Sequence, residues 1–487
     1  MTDSTATLAP TPVRATTIEP GGIEAIPAER RHGSPWQLFA TWTAPNLEFA
    51  TVFVGAIAVA FFGLGFWQAI AALVIGNALG AASQGILSTW GPREGLAQMV
   101  LSRTAFGSRG NILPAAFNTV MAGLGWFAVN SVSGAFALTT LTGLPPVLSL
   151  LIIVVLEVAV AFIGHDLVQV FERYASYILG IIFLVATVTV FLHAKITAPV
   201  ASGFSFGGFT LTVAAAFGYA AGWNPYASDY SRYLPKSTNP KSIAWAAGLG
   251  NFISCTVLMA AGAAAATIAG FNPDDPTTSF VSSMPTVIKD FTLVAIAVGA
   301  IAANALNIYS GAMSFLAAGV KLRFSLRRAI VALGFGVIGF FIAWGALADA
   351  GTKYENFLLV IAYWIAPWLG IVLTDRYLRR GTSIAALVPD HAKYRNLAGI
   401  ISMVVAGAVS IWLFSNQTLY QGVITAATTP NAKFAISAIG DLTPLVGFVL
   451  AAVLYLALFA ALKPKLGGPL SEEPELIIGV DAADDVA

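Results

Sequence analysis

A tryptophan and an asparagine four residues apart, Trp126 and Asn130, stand in the apolar run Gly123-Leu-Gly-Trp-Phe-Ala-Val-Asn-Ser131. On a helix that spacing puts an indole and an amide on one face, a turn apart. The pair suits a flat heteroaromatic solute, whose ring stacks on the indole while the amide offers its edge donors and an acceptor. A second indole, Trp223, lies in Gly222-Trp-Asn224-Pro225-Tyr226 and is placed to cover the other face of such a ring. Another apolar run carries Asn304-Ala-Leu-Asn307, two amides on one helical face that add neutral, reversible hydrogen-bonding groups. Each residue alone has a plainer reading. A lone tryptophan is a packing or interfacial residue, and a lone amide is glue between helices. The combination points to a solute site.

Three carboxylates fall in or beside apolar runs: Glu48, Glu157 and Asp229. Such groups are costly in lipid and mark ion or proton paths. They are unranked candidates for coupling. Asp229 is also spaced to pair with Arg232, and Glu157, the most deeply placed, also reads as a protonated packing residue. Other chemistries are excluded. No Gly-Lys dipeptide is present, so there is no Walker-type phosphate loop. Cys255 and the scattered His32, His165, His193 and His391 give no metal-ligand spacing. No cofactor, no metal and no enzymatic activity are expected, and no basic stripe invites nucleic acid.

The elements that hold these residues are membrane helices. Only 10% of the residues are charged, 57% are hydrophobic and the mean hydropathy is +0.78, which makes the lipid bilayer the natural solvent. Apolar runs near 42–65, 67–90, 112–141, 145–164, 175–193, 209–231, 242–270, 291–319, 329–347, 355–374, 397–414 and 442–462 give twelve candidate spans. With both termini cytoplasmic, every lysine and arginine except Lys195, Lys289, Lys353 and Lys433 falls inside, a strong positive-inside bias. Residues 1–35 read as a disordered cytoplasmic tail, 36–465 as the transmembrane domain and 466–487 as an acidic disordered cytoplasmic tail. Gly76 to Gly80 and Gly218 to Gly222 fit close helix packing.

Spans one and six are not clean helices. The first begins Trp42-Thr-Ala-Pro45-Asn46-Leu-Glu48, and the sixth is interrupted at Gly222 to Tyr226. Proline removes a backbone donor, and an irregular backbone at membrane depth survives only where it lines a cavity or is buried in protein. The backbone at Pro45, Asn46, Gly222, Asn224 and Pro225 is thus a candidate part of the site. Breaks five spans apart are the arithmetic of an inverted repeat. In the plainer reading Pro45 starts a helix and Pro225 kinks one.

The run Gly222-Trp-Asn-Pro-Tyr-Ala-Ser-Asp-Tyr-Ser-Arg-Tyr-Leu-Pro235 resembles the signature of the purine-cytosine permeases, a branch of the nucleobase:cation symporter-1 family. The resemblance extends over spans one to ten. It implies an all-α polytopic fold of two inverted five-helix repeats (40–195 and 205–380) plus two extra helices (395–465), working by alternating access. It implies that Trp126 and Trp223 stack a nucleobase, that Asn130 and Asn304 bind its edge, and that Asn307 either joins them or stabilises the helix. The implied activity is import of cytosine or purines by cation symport across the plasma membrane. Sodium-coupled relatives place two adjacent hydroxyl side chains on span eight, but Leu293 to Ile308 holds no Ser or Thr; Val298 and Gly299 or Ala302 and Ala303 stand there instead. A proton is therefore the favoured coupling ion over sodium. The same fold could carry allantoin, a hydantoin, uracil or a pyridoxine-like vitamin, and a channel or transport-like receptor is the alternative of a different class. The sequence carries no signal for an oligomeric state.

Overall fold

In hydrocarbon each unpaired backbone group costs several kcal/mol, so an apolar run must close its own hydrogen bonds as a helix. The computed structural model describes residues 22–161, 165–198, 203–273, 275–320, 327–389, 393–430 and 436–469. All twelve expected spans are helical in it. Span one is Pro35–Thr43 and Phe49–Ala60, span two Phe66–Ser88, span three Ile112–Thr142 and span four Pro146–Ala161. Span five is His165–His193, span six Phe206–Ala221 with Ala227–Ser231, span seven Pro240–Ala265 and span eight Thr286–Ala317. Span nine is Arg327–Ala346, span ten Ala350–Leu378, span eleven Leu397–Phe414 and span twelve Thr443–Leu462. Span five starts about ten residues before its apolar run, since a helix needs hydrophobic residues only where lipid surrounds it.

Local chemistry sets the ends. Ser34 precedes Pro35, and the Ser34 backbone N–H donates to Gln37 Oε1 at 3.2 Å. Asn239 caps span seven ahead of Pro240, accepting from the Lys241 backbone at 2.9 Å. Gly143, with φ 75°, ends span three in the left-handed conformation.

The arrangement of neighbours carries the repeat. Span six packs on span two, as span one packs on span seven; span four packs on span eight, as span nine packs on span three. Span ten packs on span six, as span five packs on span one. Exchanging every span for the one five places along turns each pair into its partner, and an odd repeat length sets the two copies in opposite directions across the bilayer. Glycines let the paired backbones touch. A Cβ on Gly55 would lie 1.7 Å from the Met259 carbonyl oxygen, and one on Gly262 would lie 1.7 Å from that of Val52. The outer surface is apolar, with Ile181, Leu192, Phe341 and Leu445 exposed, while Asn46, Asn130, Asn304 and Asn307 lie inside.

Spans eleven and twelve pack on span ten and on each other. A buried ion pair anchors them: Arg379 Nε donates to Asp375 Oδ1 at 2.7 Å, and Tyr455 OH of span twelve donates to the same oxygen at 2.6 Å. Arg379 also donates to Tyr394 OH at 2.7 Å and to the Leu466 carbonyl at 2.6 Å.

The expected tails need correction where they are described. Residues 22–34 are tied to the bundle rather than loose: Arg232 Nη1 donates to the carbonyls of Gly22 and Glu24 at 3.1 and 3.2 Å. Ile26 N–H donates to Gly95 at 2.9 Å and His32 N–H to Tyr233 at 2.6 Å. Gly468 likewise exchanges a pair of 3.0 Å backbone hydrogen bonds with Ser383. The remaining tail segments, 1–21 and 470–487, lie outside the described residues.

Candidate functional site

The break in span one is a 3-10 turn, Ala44–Asn46, which contains Pro45 and joins two half-helices bent by 61°. Glu48 caps the second half. Its carboxylate accepts from the backbone N–H groups of Ala50 at 2.7 Å and Thr51 at 3.2 Å, where the helix dipole favours negative charge, and from Tyr219 OH at 3.1 Å. Asn46 stitches three spans together. Its amide donates to the Trp42 carbonyl at 2.8 Å and Ser254 Oγ at 3.0 Å, and its oxygen accepts from Trp223 Nε1 at 2.9 Å.

Span six unwinds after Ala221 into a second 3-10 turn, Asn224–Tyr226, which contains Pro225. Asn224 faces span two, donating to Ser83 Oγ at 2.6 Å. Gly222 is where the break meets span three: a Cβ there would sit 3.1 Å from the Trp126 indole. Span three is itself irregular, since Met121–Trp126 forms a π-helical turn. Such turns accompany functional positions in helices. Gly123 and Gly125 make room for it, because Cβ atoms there would lie 2.4 and 2.3 Å from the rings of Phe335 and Phe357.

These distortions set Trp126 and Trp223 face to face, within 8° of parallel and with centroids 6.4 Å apart. A ring held between two others needs about 7 Å, twice a van der Waals contact. We take the space these two rings flank as a candidate slot for a flat ring. Tyr219 and Phe357 meet Trp126 edge to face, each at 5.2 Å, and fix its plane.

The amides converge beside this slot. Asn130 Nδ2 donates to Asn304 Oδ1 at 3.0 Å, and Asn307 Nδ2 donates to the same oxygen at 3.1 Å. Asn304 Nδ2 donates to the Phe127 carbonyl at 2.9 Å and to Ser131 Oγ at 3.3 Å. Tyr226 OH, from the break in span six, donates to Asn307 Oδ1 at 3.2 Å. Ser131 Oγ lies 2.6 Å from Glu157 Oε2, so this carboxylate stands one hydroxyl behind the amides. Asp229 is elsewhere: it accepts from the Gln98 backbone at 2.8 Å, while Arg232 turns to Gly22, Glu24 and Tyr309 OH.

A cavity of about 310 Å³, lined by Phe49, Phe53, Val129, Ser133, Tyr354 and Phe357 among others, reaches the aromatic neighbours of Trp126 from the side that bears Pro276 and Lys353. Beyond Trp223 lie further packed aromatic rings, none of which lines this cavity. Trp42 lies 6.1 Å from Trp223 and 5.5 Å from Tyr230, and Tyr230 lies 5.5 Å from Tyr309.

The sequence singles out both indoles, the amides and the breaks, which the fold brings together, and does not single out Tyr219, Tyr226, Tyr354 and Phe357, whose rings pack against the indoles. A tyrosine or phenylalanine in an apolar run looks the same whether it packs or lines a site. Only Tyr226, inside the interrupted segment, carried a signal.

Two half-helix breaks facing each other across an aromatic slot, inside paired five-helix repeats, define a membrane carrier of the inverted-repeat class. The Mhp1 structure, a nucleobase-cation-symport-1 family transporter closed around bromovinylhydantoin, shares this fold with a TM-score of 0.70 at 19% identity over 91% of this chain and 96% of that one. The chain belongs to the family described as permeases for cytosine/purines, uracil, thiamine and allantoin, whose profile matches residues 25–436. YxlA of Bacillus subtilis is 29% identical over 92% of this chain and 97% of its own length. The purine-cytosine permease fcyB of Emericella nidulans is 30% identical over 91% of this chain and 88% of its own. This is a multi-pass membrane transporter and not an enzyme.

Proposed function

We propose that the chain imports a nucleobase, cytosine or a purine, by proton symport across the plasma membrane, with both termini in the cytoplasm. The observation that carries this reading is the parallel pair Trp126 and Trp223 with the Asn130, Asn304 and Asn307 amides beside it. The indoles stack both faces of the base and the amides read its edge with neutral hydrogen bonds weak enough to let it leave. A proton is favoured over sodium because span eight offers no hydroxyl near Gly299, where the Leu47 carbonyl approaches closely enough that a Cβ would lie 2.2 Å from it.

Uptake of labelled cytosine into proteoliposomes tests the reading, with a proton gradient or a sodium gradient imposed. Accumulation under the proton gradient is expected. Accumulation under sodium alone would overturn the coupling argument. Absence of cytosine uptake under both would favour a second reading, an allantoin, hydantoin, uracil or pyridoxine-like substrate, which the breadth of the family and the hydantoin bound to Mhp1 support. Counterflow separates a carrier from a channel or receptor.

A further inference from the structure

Of the carboxylates Glu48, Glu157 and Asp229, only Glu157 is joined by side-chain hydrogen bonds, through Ser131, to the amides of the slot. Glu48 is consumed as a helix cap, with three donors on its carboxylate. Asp229 accepts from the Gln98 backbone N–H at 2.8 Å and stands three residues before Arg232. Glu157 is fully buried, is bonded through Oε2 to Ser131, and has its other oxygen without a partner among the described residues. Spans three, eight and nine pack against span four, and the ionisable residues they bring are few. They are Lys289 and Asp290 in the first turn of span eight, Tyr309, and Arg327 and Arg328 in the first turn of span nine. At 1.5 Å per residue, Lys289 is about 22 Å along its helix from Asn304. Among the described residues no cation pairs with Glu157, so a proton is the counter-charge that fits.

The hydrogen-bond inventory supplies the link. Ser131 has one hydroxyl hydrogen and two acceptors in reach, the Phe127 carbonyl at 2.7 Å and Glu157 at 2.6 Å. When Glu157 is ionised, that hydrogen points to the carboxylate. When Glu157 is protonated, its O–H donates to Ser131 Oγ and the serine hydrogen goes to Phe127. Asn304 has all its capacity engaged in the empty site: its oxygen accepts from Asn130 and Asn307, and its nitrogen donates to Phe127 and Ser131. Ser131 Oγ has two lone pairs and can accept from Asn304 and from a protonated Glu157 together, so the competition lies at the Phe127 carbonyl. On the helix that carbonyl already takes the Ser131 backbone N–H, and once the serine hydrogen also turns to it the Asn304 N–H is the donor in excess, released to the base.

We propose that Glu157 is the proton-carrying group of the symport and that Ser131 transmits its protonation state to Asn304. The proposal rests on the proton-coupled reading above. In one cycle a proton from the outer solution forms an O–H bond on Glu157 as the base binds, and that bond breaks on the inner side as the base leaves. Because linkage is reciprocal, the base binds more tightly to the protonated protein, by about 5- to 150-fold.

The test is equilibrium binding of labelled cytosine to purified protein across a pH series, with counterflow and proton-driven accumulation in liposomes. In the unmodified protein affinity falls as pH rises. In Glu157→Gln, whose amide keeps a donor toward Ser131, affinity is flat with pH, counterflow persists and proton-driven accumulation is lost. Ser131→Ala binds cytosine with a weakened pH dependence. Retained pH dependence and accumulation in Glu157→Gln would overturn the assignment, as would complete loss of binding in a Glu157→Gln protein that elutes as a folded monodisperse species. If the unmodified protein itself fails to accumulate cytosine under a proton gradient, the underlying proton-coupled reading falls instead, and the two failures are told apart by which protein shows them.

Discussion

Replacing Trp126 by alanine separates the two jobs its position allows. As one wall of the slot, the indole contributes one of two stacked faces, and loss of an aromatic platform under a base costs about 1–3 kcal/mol. At 1.4 kcal/mol per tenfold, cytosine affinity should weaken by about 5- to 150-fold. As a packing residue it is touched by Tyr219, Phe357, Trp223 and Tyr354 at centroid distances of 5.2, 5.2, 6.4 and 6.5 Å. Truncation should therefore also cost stability, about 3–5 kcal/mol if the neighbours do not collapse. The assay measures both quantities: equilibrium cytosine binding by the detergent-purified protein and its melting temperature, in Trp126→Ala and Trp126→Phe. Phenylalanine keeps a stacking face and should recover most of the affinity while remaining less stable than tryptophan. The reasoning is refuted if Trp126→Ala melts earlier yet binds cytosine as tightly as the unmodified protein, for the indole would then be a packing residue alone.

Tyr226→Phe deletes the donor to Asn307 and should weaken binding by about fivefold, the worth of one net hydrogen bond of about 1 kcal/mol; unchanged affinity would remove Asn307 from the site. Gly55→Ala forces a methyl against the Met259 carbonyl and should cost about 1–3 kcal/mol, seen as a lower melting temperature with little change in the affinity of the folded fraction. Asp375→Asn leaves the buried Arg379 guanidinium without its carboxylate and should destabilise by about 3–5 kcal/mol. Limited proteolysis should then cut first around spans eleven and twelve, and cleavage elsewhere would discount the ion pair as their anchor.

How much of this was legible in the chain depended on whether a residue type betrays its job. Pro45 beside Asn46, and Gly222 with Asn224 and Pro225, set a helix breaker next to polar residues in an apolar run, and that combination made both breaks readable; Pro367, among apolar residues in span ten, leaves its helix continuous. Amides in lipid are conspicuous, which exposed Asn130, Asn304 and Asn307. The π-turn at Met121–Trp126 was not legible, because it depends on Phe335 and Phe357 reaching Gly123 and Gly125 from other helices. Residues 22–34 were misread for a related reason. Their polar composition suggests a loose tail, but what holds them is largely their backbone, taken up by Arg232, Gly95 and Tyr233.

The slot between the two indoles also works as a gauge of thickness. Its indole centroids stand 6.4 Å apart with the rings nearly parallel, and a flat ring held between two others asks for about 7 Å. A ring with a saturated carbon carries hydrogens above and below its plane and must wedge the walls further apart. Cytosine and its dihydro counterpart present nearly the same polar edge, so a stacking site built as proposed should bind cytosine the more tightly, and equal affinity for the two would count against stacking between the indoles.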